Sequence, residues 1–247
     1  MSGVEFGIYG LGRFGTFWAE RLARHAEVKA YSRRSRSAPA GVELVAEERL
    51  LECPVLILCV AISAMEQVLC RIRDRLPEGV TVMDTCSVKV HPTRLMAELL
   101  PDDARILGTH PMFGPDSGRE TIAGLPMVLC PVRIDQEPLA GWERFFAEFK
   151  LNVVVMDADA HDREAAFTQG VTHYVGRVLA EMRLRESGIA PLGYQRLLSI
   201  VEHTCNDPWQ LFADLQRFNT HTVEMRAGLE EAFRNIARRL DDPSDDR

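Results

Sequence analysis

Apolar and polar positions change rhythm along this chain. Residues 4–9 form a short apolar run ending at a glycine-rich turn, and Phe14, Phe17, Trp18 and Leu22 then recur at helical spacing. Residues 28–31 read as a second short strand, and 54–60 is an unbroken apolar run, as expected of a strand covered on both faces. A helical pattern over 64–76 precedes a strand at 80–83 that ends at Asp84. Further strands are predicted at 105–108, 127–132 and 152–156, with a helix over 139–149. Strands alternating with helices predict an α/β, doubly wound, mostly parallel sheet. From Ala158 a 3.6-residue period runs to Leu240, giving about four helices broken near 187–193 and at 206–208. The expected division is an α/β domain over 1–156, an all-α domain over 157–240, and a polar tail at 241–247 expected to be disordered.

The turn after the first strand is Gly10-Leu11-Gly12-Arg13-Phe14-Gly15, a Gly-x-Gly-x-x-Gly motif that opens a helix. In that context it is a dinucleotide fingerprint of Rossmann type. Gly10 permits the tight turn, Gly12 lets a pyrophosphate approach, and Gly15 lets helix and strand pack closely. An NAD site usually closes its second strand with an acid that grips the ribose 2′-hydroxyl. Here the strand ends in Ser32-Arg33-Arg34-Ser35-Arg36, with no carboxylate. Guanidinium groups suit a 2′-phosphate, so the reading favours NADP over NAD, a solvated basic loop being the alternative. Val60 and Ala61, small residues after the buried strand, are expected to flank the nicotinamide ribose.

With a net charge of −7 over 247 residues, the composition gives no electrostatic case for nucleic acid. No apolar run approaches membrane-spanning length and no signal-peptide pattern precedes the first strand, so a cytoplasmic protein is expected, or a plastid one if a transit peptide has been removed. Six cysteines without Cys-x-x-Cys spacing indicate neither a disulfide framework nor a zinc site. Cys53, Cys59, Cys70 and Cys130 read as small buried hydrophobes. The apolar faces of the helical domain suggest a homodimer.

Candidate chemistry collects at strand ends. His110, expected in a Gly/Pro-rich loop after its strand, could accept a hydroxyl proton. Ser87 could hydrogen-bond that hydroxyl or the imidazole, or cap the helix after it. Gln169, Thr172, His173 and Gly176 share one helical face and read as a pocket wall, an interhelical polar contact being the alternative. His161, beside Asp159 and Asp162, reads as a solvated helix start, and no histidine pair has metal-binding spacing.

Taken together, these segments resemble the prephenate/arogenate dehydrogenase family, particularly its compact plant-type members. The matching stretches are residues 10–15, the Asp-Thr-Cys-Ser-Val-Lys at 84–89, the Thr-His-Pro-Met-Phe-Gly-Pro-Asp-Ser-Gly at 109–118, and residues 168–177 and 204–212. The resemblance implies oxidative decarboxylation of a cyclohexadienol: His110 takes the hydroxyl proton, Ser87 orients it, and Gln169 contacts substrate. It also places Asp207 where plant-type members tend to carry Asp for arogenate. Its charge would favour arogenate's ammonium over prephenate's keto oxygen, while capping of the helix after Pro208 is its alternative role. Lys89, Arg196 and Arg217 are candidate cations for a substrate carboxylate, and Thr172 lines the same wall as Gln169. The rival readings are a prephenate dehydrogenase giving 4-hydroxyphenylpyruvate, a silent NADP-binding sensor, and a relative acting on an amino-substituted prephenate.

Overall fold

The computed structural model describes residues 4–241. Its first half interleaves β1 (Glu5–Tyr9), α1 (Arg13–Leu22), β2 (Glu27–Tyr31), β3 (Glu43–Leu44), α2 (Glu47–Leu50), β4 (Val55–Leu58), α3 (Met65–Ile72), β5 (Thr81–Asp84), α4 (Val90–Leu99) and β6 (Arg105–Pro111). Then come β7 (Pro126–Arg133), α5 (Gln136–Glu148) and β8 (Asn152–Val155). The strands form one sheet in the order β3-β2-β1-β4-β5-β6-β7-β8. All neighbouring pairs are parallel except β6–β7. The order turns back beside β1, so the carboxyl ends of β1 and β4 border the crevice where doubly wound sheets take ligands.

Alternation along β1 explains how the sheet is covered. Phe6 and Ile8 point to one face, into a core with Trp18 and Leu22 of α1 and Leu139, Trp142, Phe145 and Phe146 of α5. Phe6 stacks on Phe145 at 5.3 Å and meets Trp142 edge-on at 5.9 Å. Gly7 lies on the opposite face, where an added Cβ would stand 3.1 Å from the Leu50 carbonyl oxygen. Burial of each such aromatic contributes roughly 1.5–3 kcal/mol.

Two expectations are corrected here. Cys70 is exposed, because the buried stripe of α3 is Met65, Leu69 and Ile72; Cys59 is only half-buried. β6 continues past Gly108 to Pro111, because β7 folds back antiparallel and pairs with it as far as Pro111↔Met127. His110 therefore sits in a strand opposite Val128, not in a loop.

The chain divides into two compact units, one ending at His161 and the other beginning at Asp162; the boundary falls inside α6 (Ala158–Ala165). The second unit continues α6 through a π-turn (Ala166–Gly170) into α7 (Val171–Glu181), followed by α8 (Leu192–Cys205), α9 (Trp209–Phe218) and α10 (Thr222–Asp241). α7 and α8 cross at Gly176, where an added Cβ would lie 2.1 Å from Thr204 Oγ1. Phe212, Leu215 and Met225 are buried in this unit, while Phe233, Ile236 and Leu240 stay 56–79% exposed on α10. Of the expected tail, Asp241 ends α10 and 242–247 lie outside the described residues. Among the described residues no helix is long and apolar enough to cross a membrane.

Candidate active site

The three glycines of the first turn are not equivalent. Gly10 has a φ of +109°, and a Cβ there would lie 2.5 Å from the Cys59 carbonyl oxygen. At Gly15 a Cβ would stand 2.0 Å from the Gly10 oxygen, so the start of α1 can approach β1 only without a side chain. Gly12 is different: a Cβ there would meet nothing within 4 Å. The turn is closed by the Cys59 backbone at position 10 and by its own backbone at position 15, and is open at 12. The N-terminus of α1 begins there with no side-chain cap and no acid in its first turn. An open glycine at an uncapped helix start fits a dinucleotide pyrophosphate. Leu11 is buried, and Phe14 packs at 6.3 Å from Trp18. Arg13 pairs with Asp116 at 2.5 Å. Arg21 Nη2 donates to the carbonyls of Gly118 and Arg119, and these contacts tie the loop after β6 to α1.

Beyond β2, Ser32 is half-buried while Arg33 and Arg34 are exposed, with no carboxylate in an ion pair with either among the described residues. Val60 is half-buried and Ala61 exposed, on the turn between β4 and α3. Beneath the same strand ends lies a buried carboxylate absent from the sequence reading. Glu47 accepts from Tyr9 Oη at 2.5 Å and from Arg71 and Arg75 at 2.7–2.9 Å. Burial pushes its pKa up, but the hydrogen bonds from Arg71, Tyr9 and Arg75 outweigh that and bring it down to about 2.

The ends of β5 and β6 are locked together. Ladder pairing stops at Met83↔Leu107. Asp84 then takes over: its carboxylate accepts from the Cys86 N–H at 2.9 Å, from the Thr109 N–H at 3.2 Å, and from the Lys89 ammonium. Lys89 Nζ also donates to the Thr109 carbonyl at 2.6 Å, and Thr109 Oγ1 donates back to the Asp84 carbonyl. Neither Asp84 nor Lys89 has any exposed side chain. Lys89 is thus corrected from substrate cation to internal clamp, its ammonium being committed within the fold. The clamp fixes the turn carrying Ser87, which does not cap α4, since that helix begins at Val90 behind Lys89. Among the described residues, Ser87 Oγ is buried without a hydrogen-bond partner. A buried hydroxyl left so is destabilising by about 1–3 kcal/mol, which a ligand could relieve.

His110 is 3% exposed and hydrogen-bonds not to Ser87 but to His161, Nδ1 to Nε2, at 2.8 Å. His161 is 2% exposed, so its reading as solvated is overturned. Pairing register brings the two together. β8 ends at Val155, level with Leu129 of β7, which is level with Thr109 of β6. The Asp157 carboxylate then caps α6 at the Ala160 N–H (2.9 Å), and its carbonyl accepts from the His161 N–H (3.0 Å). No local sequence signal carries that register.

In the helical unit, buried polar atoms without partners among the described residues line one stripe: Gln169 Oε1, His173 Nδ1 and Arg177 Nε, at i, i+4 and i+8. Thr172 is exposed and turned back on its own helix, its Oγ1 donating to the Thr168 carbonyl at 2.8 Å. Gly176 leaves no gap, since Thr204 fills the place of its side chain. Arg177, which the sequence reading does not single out, extends this stripe by helical spacing from His173. Its Nη2 donates to the carbonyls of Thr204 (3.1 Å) and Asp207 (2.6 Å), and its guanidinium lies 5.6 Å from the Trp209 ring centre. Arg196 and Arg217 are exposed. α9 begins behind Pro208 with no side-chain cap, and Asp207 is half-buried before it. Burial pushes the His173 pKa down, and so does Arg177; the Asp207 charge pulls it up but does not prevail. No group of His, Cys, Asp and Glu able to hold a metal occurs among the described residues.

Comparison with known proteins places these features in context. The family model "Prephenate dehydrogenase, nucleotide-binding domain" matches residues 26–174, and "TYRAAT1-like, C-terminal domain" matches 178–247. Arogenate dehydrogenase 2, chloroplastic, of Arabidopsis thaliana is 34% identical over 97% of this chain and 70% of its own length. Arogenate dehydrogenase 1, chloroplastic, of the same plant is also 34% identical over 97% of the chain, but the match spans 39% of that protein. Among solved structures, the prephenate dehydrogenase of A. aeolicus in complex with hydroxyphenyl propionate and NAD+ aligns with a TM-score of 0.76 at 17% identity, covering 100% of this chain and 93% of that one. A Synechocystis arogenate dehydrogenase aligns with a TM-score of 0.68 at 17% identity, covering 96% and 92%.

Proposed function

The chain belongs to the prephenate/arogenate dehydrogenase family, and on that premise we propose that it converts arogenate to tyrosine by NADP-dependent oxidative decarboxylation. One observation carries the reading: a buried imidazole, His110, and a buried, partnerless hydroxyl, Ser87, stand at the ends of neighbouring strands tied by the Asp84–Lys89–Thr109 clamp. His110 takes the proton of the ring hydroxyl, and Ser87 supplies the hydrogen bond that orients that hydroxyl. A nicotinamide dinucleotide, when bound, supplies the hydride acceptor. As the carbinol carbon is oxidised, the bond between the ring and its carboxylate breaks. Its electron pair enters the ring, CO2 leaves, and the proton held by His110 returns to the phenolate oxygen. Aromatisation makes the sequence downhill, so the protein's tasks are positioning and one base.

The open Gly12 and the uncapped start of α1 support a dinucleotide, and the exposed Arg33 and Arg34, in no ion pair among the described residues, support a 2′-phosphate on it. Within the helical unit, the buried Gln169 Oε1 and His173 Nδ1 support contacts to substrate, and the charge of Asp207 supports a preference for an ammonium group. The exposed stripe of Phe233, Ile236 and Leu240 supports a homodimer through that unit. Parallel assays of arogenate and prephenate with NADP and NAD, followed at the absorbance of the reduced nicotinamide, test the proposal. Turnover of arogenate with NADP is expected to be fastest. No turnover with any pair, or a rate unchanged in His110→Ala, refutes it.

A further inference from the structure

Resting on the reading of His110 as the base, we infer that His161 is the positioning residue that sets its tautomer. The two rings meet at 66° with centroids 5.0 Å apart, so they are not stacked, and Nδ1 of His110 points at Nε2 of His161 across 2.8 Å. A nitrogen pair at that distance holds one hydrogen: two lone pairs repel, and two N–H groups clash. The direction of this single bond decides what His110 can do. If His161 Nε2 accepts, His110 carries its hydrogen on Nδ1 and presents a lone pair on Nε2. If His161 Nε2 donates, His110 carries its hydrogen on Nε2 and cannot take a proton there.

A base needs the first arrangement, and the fold makes it available by seating His161 Nε2 against His110 Nδ1. Asp157 caps the first turn of α6 and also accepts the backbone N–H of His161. Only 2% of His161 reaches solvent, so water does not compete for the bond. When His110 takes the substrate proton, its charged ring keeps a neutral acceptor on Nδ1, and a hydrogen bond from a cation is stronger than one between neutral groups. This is the role a carboxylate or carbonyl often fills behind a working histidine, here supplied by an imidazole.

The test compares His161→Leu, which removes the acceptor, with His161→Gln, whose side-chain oxygen can accept from Nδ1. His110→Ala serves as a control on the underlying reading. For His161→Leu we expect kcat to fall on the order of 10–100-fold, as for other residues that orient a working group, with the substrate KM and dinucleotide Kd within about twofold. His161→Gln should restore most of the loss. In the unmodified protein, ring 15N chemical shifts should report His110 protonated at Nδ1 and bare at Nε2. An unchanged kcat in His161→Leu overturns the inference, as does a His110 ring protonated at Nε2. Equal loss of kcat, dinucleotide affinity and melting temperature in the Leu and Gln variants also overturns it, by making the role structural. Should His161→Leu not fold, the tautomer measurement and the Gln variant decide. Activity surviving in His110→Ala defeats the parent reading instead, and the 15N shifts still judge the pair separately.

Discussion

Asp84 and Lys89 face each other five residues apart with both side chains sealed from solvent, and Thr109 of the next strand closes the triangle. Each charge is paired and further hydrogen-bonded, so its desolvation is offset, and the benefit is a fixed geometry for Ser87 and His110. Lys89→Met leaves a buried carboxylate uncompensated. It should destabilise the protein by about 3–5 kcal/mol. Thermal unfolding should then show a fall in Tm of roughly 6–20 °C. Asp84→Asn with Lys89→Met should recover part of that loss; a single variant as stable as the parent would show the clamp to be idle.

The glycine turn gives a prediction that separates fold from binding. Gly12→Ala puts a methyl into open space and should leave Tm within about 1–2 °C of the parent, while NADP affinity drops on the order of tenfold, or about 1.4 kcal/mol. Gly15→Ala drives a methyl into the Gly10 carbonyl and should lower Tm as well. Calorimetric titration beside thermal melts checks both. Equal NADP affinity in Gly12→Ala would move the dinucleotide elsewhere.

For the 2′-phosphate, Arg33→Ala with Arg34→Ala should raise the KM for NADP by roughly 10–100-fold, the scale of one or two charge-assisted hydrogen bonds. The KM for NAD should change little. Parallel shifts for both cofactors would reduce the pair to a solvated basic loop.

How much of this was open to sequence reading depends on the range of the interaction. The alternation of strand and helix and the roles of Gly10 and Gly15 are local, and the residues themselves state them. The break before Trp209 is local too, written in Asn206-Asp207-Pro208. His110 falls inside β6 only because β7 pairs with it, and such a register has no local mark. His161 looked like a surface residue because acids flank it, yet the level at which β8 ends delivers it beside His110. Lys89 reads as a candidate cation for a substrate carboxylate because no arginine of the helical domain takes that role by alignment. Its partner Asp84 stood in the same motif, and burial decided between the two roles. Gly176 read as a pocket gap, but only the crossing of α7 and α8 reveals what fills it.

Acid should test the Glu47 network. Its folded pKa of about 2 lies below the ordinary carboxylate value, so its contribution is complete above that ordinary value and is lost as pH falls toward 2. The Tm gap between the parent and Glu47→Gln should therefore be widest near neutrality and shrink between about pH 5 and pH 2. A gap constant across that window would assign the effect to packing instead of charge.

Asp207→Asn keeps the size of the side chain and removes its charge. The ratio of kcat/KM for arogenate to that for prephenate should fall by roughly tenfold, the equivalent of one charge-assisted bond to an ammonium. An unchanged ratio would release Asp207 from any part in substrate choice.

The contact between Arg177 and Trp209 has a practical consequence. Trp209 is 63% exposed, whereas Trp18 and Trp142, the remaining tryptophans of the sequence, are at most 5% exposed in the other unit. Emission at the red edge therefore comes mainly from one indole, and a guanidinium rests against its face beside the Asp207 carbonyl. The helical unit thus carries its own optical probe, and a ligand that disturbs Arg177 would announce itself as a change in colour or brightness without any label.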